Sequence, residues 1–222
     1  ITPLVADLAI EGKWMLAGAN GGFLVIDLLN HVVTDYVYTD DVDGVAFAHV
    51  MGIEKSGDRI FASLGDLTNR FALAMYDFDT TTGRVISPTT GLQGDEPLQV
   101  LFDGEPGGVP NKPDSFPGVF LNEGERISLV QTQATPKKLR IYSGTGNGHL
   151  VEVEWSATTD AMAPKSKWHN GGYFSHISDC NVYKNPVPLG FSSFGPTPDF
   201  TLRILVTKVR ETFEIVSPPD MP

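Results

Sequence analysis

Met15 to Leu28 reads MLAGANGGFLVIDL, and its plan returns twice further along the chain. Ile60 to Phe78 reads IFASLGDLTNRFALAMYDF, with a longer middle, and Ile141 to Trp155 reads IYSGTGNGHLVEVEW. In each, a short apolar run ends in small residues, a turn of Gly, Asn or Asp follows, and an alternating apolar run closes on an acidic or aromatic residue. Two such runs flanking a turn read as a β-hairpin. A hairpin that recurs along one chain points to a repeated all-β architecture. At Asn20-Gly21-Gly22 the glycines supply the positive φ that a tight hairpin turn needs.

The same grammar extends outward. Val32 to Tyr38 (VVTDYVY) reads as a third strand and is followed by the acidic turn Asp40-Asp41-Val42-Asp43-Gly44. Val45 to Ile53 is apolar and runs into the turn Ser56-Gly57-Asp58. The second hairpin pairs Arg59 to Ser63 with Phe71 to Phe78; Asp79 to Gly83 is a turn and Arg84 to Ser87 a strand. Residues 88–118 are rich in Gly and Pro, periodic only at Leu98 to Phe102, and read as a long loop or insertion. Strand patterns resume at Arg126 to Thr132, Lys138 to Ser143 and His149 to Trp155, and Thr158 to Ala163 reads as a turn. Residues 164–198, rich in Gly, Pro, Ser and aromatics, read as irregular structure with short strands, before Phe200 to Lys208 and Thr212 to Val216. No convincing amphipathic helix longer than about ten residues is present.

Composition narrows the class. A chain of 222 residues fits a single all-β domain over 1–222, with 88–118 and 164–198 as its long loops or insertions. Gly 23 and Pro 16 together make 39 of 222 residues, about 18% against an ordinary share of about 12%, which demands many turns. The net charge of −11 repels phosphates and anionic membranes, and the best basic cluster, Lys137, Lys138 and Arg140, is too small to reverse that. Nucleic acid is therefore not an expected partner. No apolar run approaches the ~18 residues of a membrane span. The single Cys180 excludes an internal disulfide framework and is expected to be a small buried hydrophobe. The chain opens on Ile1, the mark expected of a processed product or of part of a longer chain, so a repeat array could be cut.

The spacing is also informative. Met15 to Ile60 is 45 residues and Ile60 to Ile141 is 81, near two periods of about 40. Gly18-Ala19-Asn20-Gly21-Gly22-Phe23-Leu24-Val25-Ile26-Asp27 resembles the hairpin of β-propeller repeats in which a "gGl-vid" strand follows a Gly turn. Tyr76-Asp77-Phe78-Asp79-Thr80-Thr81-Thr82-Gly83 is similar to the "yD-tG" blade edge of the same superfamily. The resemblance implies an array of antiparallel blades, about five at this period, incomplete where 92–135 and 164–198 lack the signature. The competing architecture is a β-sandwich or jelly roll, for which the terminal strand Asp199 to Lys208 with its Pro-rich flanks and aromatic loops would be typical.

Four constellations could carry chemistry. Asp40, Asp41 and Asp43 beside Gly44 form the densest carboxylate group, and several oxygens on one tight turn could hold calcium. They lack the register of a twelve-residue calcium loop, since Val50 stands where Glu is needed. Trp168, His169, Tyr173 and His176 share an aromatic, Gly-rich loop that could hold a ligand such as a sugar by stacking and hydrogen bonding. Gly144 to Gly148 has the glycines of a phosphate cradle, but the strand pattern from His149 to Trp155 replaces the helix such a cradle needs. Asp27, Asp77 and Glu154 close the repeats and could supply the paired carboxylates of a propeller-channel glycosidase. An acid recurring in every unit is more simply a turn or blade-edge feature. No G-x-S-x-G elbow exists for the serines Ser175, Ser178, Ser192 and Ser193 near the histidines.

These observations lead to the expectation of a non-catalytic binding or structural module. Its loops would meet a protein or glycan partner, or it would pack beside copies of itself in a homo-oligomer, particle or virion, in an extracellular or particle-associated setting. The alternatives are a carbohydrate-active hydrolase or lyase and a jelly-roll viral coat domain.

Overall fold

The computed structural model describes residues 5–66, 70–105, 108–116, 121, 124–145, 149–169, 179–186, 200–208 and 211–217. All the regular structure in these residues is β-strand. The first sheet takes β1 (Asp7–Glu11), β2 (Trp14–Ala19), β3 (Gly22–Asp27) and β4 (Val32–Tyr38) in chain order. The second takes β5 (His49–Ser56), β6 (Arg59–Gly65), β7 (Phe71–Asp79) and β8 (Arg84–Ile86), and β9 (Gln99–Phe102) joins β8 along the same edge of β7. The third takes β10 (Gly124–Ala134), β11 (Lys137–Thr145), β12 (His149–Ser156) and β13 (Ala161–His169). The fourth takes β14 (Asp179–Pro186), β15 (Phe200–Lys208) and β16 (Glu211–Ser217). Every pairing is antiparallel.

The three repeated stretches are thus β2–β3, β6–β7 and β11–β12, the central hairpins of three successive sheets. The first strand of each sheet packs against the first strand of the next: β1 on β5, β5 on β10, β10 on β14. The sheets therefore fan about one line with those strands innermost. Hydrophobic cores lie between neighbouring sheets. Leu16, Phe23, Val25 and Val37 of the first sheet meet Ile60, Ala62, Ala74, Tyr76 and Phe78 of the second. Phe61, Leu73 and Met75 on the second sheet's other side meet Ile141, Val153 and Trp155 of the third. Edge-on aromatic pairs lock both contacts: Trp14 with Phe78 at 5.7 Å, Phe23 with Tyr76 at 5.3 Å and Phe61 with Trp155 at 6.3 Å between ring centroids. A sheet covered on both faces needs apolar residues on both, which is why FALAMY is unbroken rather than alternating.

Three expectations need correction. Among the described residues there are four sheets, where the period led to an expectation of about five. They begin at Asp7, His49, Gly124 and Asp179, which are 42, 75 and 55 residues apart. The long interval has two sources: the outer strand of the second sheet is split, and the connection to the third sheet, 103–123, is about twice the length of 39–48. Ile86 pairs with Asp77 and Gln99 with Met75, so residues 87–98 are inserted opposite Tyr76. Second, the described parts of 164–198, expected as irregular structure with short strands, are strand throughout. Strand β13 continues to His169 and β14 starts at Asp179. Pro164 is tolerated because β13 is an edge strand with a bulge there. Third, the turn expected over Thr158 to Ala163 stops at Asp160, and β13 starts at Ala161. Within each sheet the strands follow chain order, whereas a jelly roll requires Greek-key crossings.

Candidate interaction face

Strands that alternate in direction send their connections to alternate ends. One end carries the β1–β2, β3–β4, β5–β6, β7–β8, β10–β11 and β12–β13 turns, all short. The other carries the central hairpin turns and the connections between sheets, including 39–48 and 103–123.

At the short-turn end the charges pair within each sheet. Lys13 Nζ lies 3.2 Å from Asp27 Oδ2, Arg59 Nη1 2.7 Å from Asp77 Oδ1, and Arg140 Nη2 3.1 Å from Glu154 Oε2. The three acids named as a possible catalytic set thus each answer a base on their own sheet. Burial works against ionisation of Asp27, but N–H groups of Asn30 and Leu29, the Asn30 amide and Lys13 hold its pKa down at about 2. Glu154 is also burdened by burial, yet Arg140, Lys165 and Lys138 lower it. Arg59 reaches beyond its sheet as well, with Nη2 2.5 Å and Nε 2.9 Å from the two oxygens of Asp160 after β12.

The long-connection end is built differently. Val42 and Val45 exchange backbone hydrogen bonds of 2.8 and 3.2 Å, and Asp43 and Gly44 between them have φ of 52° and 77°. Two left-handed residues in succession make this a type I′ hairpin. The Gly44 N–H donates to Asp41 Oδ1 at 2.8 Å, and Lys112 Nζ donates to Asp43 Oδ2 at 2.7 Å. Buried Val42, Val45 and Phe47 anchor the turn, with Phe47 stacked over Phe102 at 6.4 Å. Asp40, Asp41 and Asp43 are exposed on the resulting rigid projection. Asp41 serves the turn itself and Asp43 serves Lys112. Among the described residues no group of three or more His, Cys, Asp or Glu is arranged to hold a metal ion.

Among the described residues of 39–49, 66–70 and 103–116 there are seven acids (Asp40, Asp41, Asp43, Asp66, Asp103, Glu105, Asp114) and two bases, Arg70 and Lys112. Both bases are engaged, Arg70 with Asp66 at 3.4 Å and Lys112 with Asp43. This end of the molecule is therefore acidic. Nearby, burial raises the Asp95 pKa against the hydrogen bond from Tyr38 N–H, and Asp35 and Asp40 add to the rise.

The innermost strands hold a carboxylate group that the sequence reading missed. Asp7 Oδ2 accepts from Ile53 N at 3.1 Å, and its other oxygen faces Arg126 Nε at 3.6 Å. Glu11 pairs with the buried Lys55 Nζ and accepts from Gly57 N at 3.0 Å. Between them burial, with Asp7 and Glu11 nearby, pushes Glu54 up to about 7. The signal was present in GIEKS, where charges interrupt an apolar strand flanked by turns.

Trp168 and His169 end β13, opposite Leu150 and His149. Their side chains, and the whole of Tyr173 and His176, lie outside the described residues, as does 146–148 of the glycine run. Gly144 and Thr145 end β11 and His149 opens β12, the two arms of a hairpin.

No family model matches the chain, and no curated protein is similar to it in sequence. Solved structures do match. Sqt1 of Saccharomyces cerevisiae is similar over 96% of this chain and 45% of its own, at 12% identity and a TM-score of 0.54. The WD40 repeats of RRP9 are similar over 97% of this chain and 51% of theirs, at 9% identity and a TM-score of 0.52. The fold is a partial β-propeller. Drosophila Semaphorin 2a is similar over 96% of this chain and 43% of its own, at 8% identity and a TM-score of 0.52. The chain spans about half the length of these propeller chains, and at such identities the likeness is one of fold.

Proposed function

We propose that this propeller segment is a non-catalytic interaction scaffold whose long-connection end receives a protein partner with a basic surface. The observation that carries the reading is the asymmetry between its two ends. Charges at the short-turn end pair with one another within a sheet or with the neighbouring sheet, while the opposite end presents acids in excess on a hairpin held by its own backbone and by Phe47. Oriented charge of one sign speeds encounter and selects partners of the opposite sign. A fixed projection also loses little conformational freedom on binding.

The test uses surface plasmon resonance with the immobilised chain and a lysine-rich synthetic peptide, against a glutamate-rich peptide of equal length. Binding of the basic peptide alone, weakened by salt and by joint Asp40→Asn, Asp41→Asn and Glu105→Gln substitution, is the expected result. Equal binding of both peptides, or indifference to the three substitutions, refutes it.

A second reading, carbohydrate hydrolysis, is favoured by one arrangement: three acids, Glu54 of β5 with Asp7 and Glu11 of β1, gather on the innermost strands, where burial raises Glu54. It predicts turnover of aryl glycosides that Glu54→Gln abolishes, and no turnover by the unmodified chain sinks it.

A further inference from the structure

Tyr36 and Tyr38 close β4 at the long-connection end, and neither belongs to a buried cluster. Their rings meet at 4.5 Å between centroids with a tilt of 59°. The Tyr36 hydroxyl donates to Asn20 O at 3.4 Å, which ties that ring to the first hairpin turn. Tyr38 leans on it and is still 52% exposed. Strand register explains the exposure. Tyr38 stands across from Gly22, where a Cβ would come within 1.9 Å of Val37 O, so no side chain can cover it from β3. Tyrosines held in place on a surface offer large contact area at little cost in conformational freedom.

The insertion 87–98 brings acids to the same spot. Val85 N and Gln93 Nε2 donate to Asp35 of β4 at 2.8 and 2.7 Å, which lays the insertion along the free edge of that strand. Asp95 then accepts the Tyr38 N–H, and Asp40 follows Tyr38 by two residues. Asp35 and Asp40 are near enough to Asp95 to hinder its ionisation. Among the described residues no cation pairs with Asp40 or Asp95. Polar character continues inward. The Tyr76 hydroxyl, within electrostatic reach of Asp95, is fully buried and has no hydrogen-bond partner among the described residues. Buried polar groups are ordinarily bonded. The cluster is therefore rich in acceptors and short of donors.

We propose that Tyr36 and Tyr38, with the carboxylates of Asp40 and Asp95, seat an arginine side chain of the partner's basic surface. The inference rests on the acidic-end reading and narrows it from a sign of charge to one kind of side chain. A guanidinium is planar, carries five donors and is weakly hydrated, so it can lie on a ring face while its edge bonds carboxylates. An ammonium is a compact, strongly hydrated charge that is satisfied by the carboxylates alone and gains less from the rings. The aromatic pair thus distinguishes arginine from lysine, whereas the acids by themselves do not. It also gives the insertion a role: it supplies Asp95 to the edge of Tyr38.

Surface plasmon resonance with the immobilised chain compares an arginine-rich and a lysine-rich peptide of equal length and charge, with a glutamate-rich peptide as reference. The arginine peptide is expected to bind about threefold more tightly than the lysine peptide. Tyr38→Leu should bring it down to the lysine value and leave the lysine value unchanged, which also shows that the variant is folded. Tyr38→Phe keeps a ring face and should keep the preference. Nuclear magnetic resonance of isotope-labelled tyrosine in the unmodified chain reads the contact without substitution: the Tyr36 and Tyr38 rings should shift as the arginine peptide is added. Equal affinities for the two basic peptides, a preference that survives Tyr38→Leu, or shifts confined to other tyrosines would each overturn the arginine seat while leaving the acidic-end reading in place. Basic peptides that bind no better than the glutamate-rich one would overturn both.

Discussion

Glu54 offers the sharpest check on the physics of the innermost strands. It belongs to β5, is largely removed from water, and lies near Asp7 and Glu11 of β1, with Lys55 and Arg126 the cations in the group. Its pKa stands at about 7 in the folded chain against 4.5 for an unperturbed group. The folded state therefore holds this proton more tightly than the unfolded state. Stability is unaffected by Glu54 below about pH 4.5, falls as pH rises toward 7, and levels off above it. A displacement of about 2.5 units at ~1.4 kcal/mol each is a loss of about 3 kcal/mol across that window, an upper figure because the group retains some contact with water. Glu54→Gln keeps the shape and removes the charge. Urea unfolding at pH 4.5 and pH 8 should find the two proteins alike at the lower pH. At the higher, the variant should be more stable by up to about 3 kcal/mol. Asp27 titrates in the opposite sense, but its window lies below pH 4 and does not overlap. A stability difference between the proteins that is the same at both pH values would refute the assignment.

Gly83 has φ +71°, and a Cβ there would come within 2.4 Å of the Trp14 ring, so Gly83→Ala should cost about 2–4 kcal/mol in thermal unfolding. Gly12, with φ +63° and nothing near its Cβ position, isolates the backbone contribution and should cost about 1 kcal/mol when replaced by Ala. Arg59→Met removes both hydrogen bonds to Asp160 and the pair with Asp77; about 1–2 kcal/mol should be lost by denaturant titration, since the acids are partly exposed. Arg59→Lys should restore only part of it, lacking the planar fork. Lys112→Ala frees the Asp43 carboxylate. About 0–1 kcal/mol should be lost by denaturant titration, as for a partly exposed ion pair, and a larger loss would show that Lys112 holds the hairpin by more than its charge.

The central hairpins were legible because their turn residues and apolar runs are local signals. Asn20-Gly21-Gly22 and the run FLVID specify β2–β3 without reference to anything distant. What escaped the reading is nonlocal. The even period expected of the repeats fails at residues 87–98, which enter between two neighbouring pairs of one ladder, and no local pattern marks that the strand on either side is the same one. Pro164 suppressed the strand signal of β13 although an edge position tolerates it. Asp27, Asp77 and Glu154 were readable as periodic acids, but their bases, Lys13, Arg59 and Arg140, become evident only once the strands are paired. The set around Glu54 required knowing that β1, β5 and β10 share one line. The acidity of the long-connection end was present in the composition, while its segregation from the short-turn end depends on strand direction.

The bulges and the insertion also govern how the molecule meets its own kind. An unbroken outer strand offers a ladder of free backbone groups on which a foreign strand can zip. Here each outermost ladder of the first three sheets is interrupted: β4 by a register shift opposite Val25 and Ile26, the β8–β9 edge by twelve intervening residues, and β13 by Pro164 and its bulge. Amyloid-like growth from these rims is thereby discouraged even though strand is the only regular structure among the described residues. A rim so interrupted leaves side-chain surfaces, rather than free backbone ladders, as the places where another molecule can be met with discrimination.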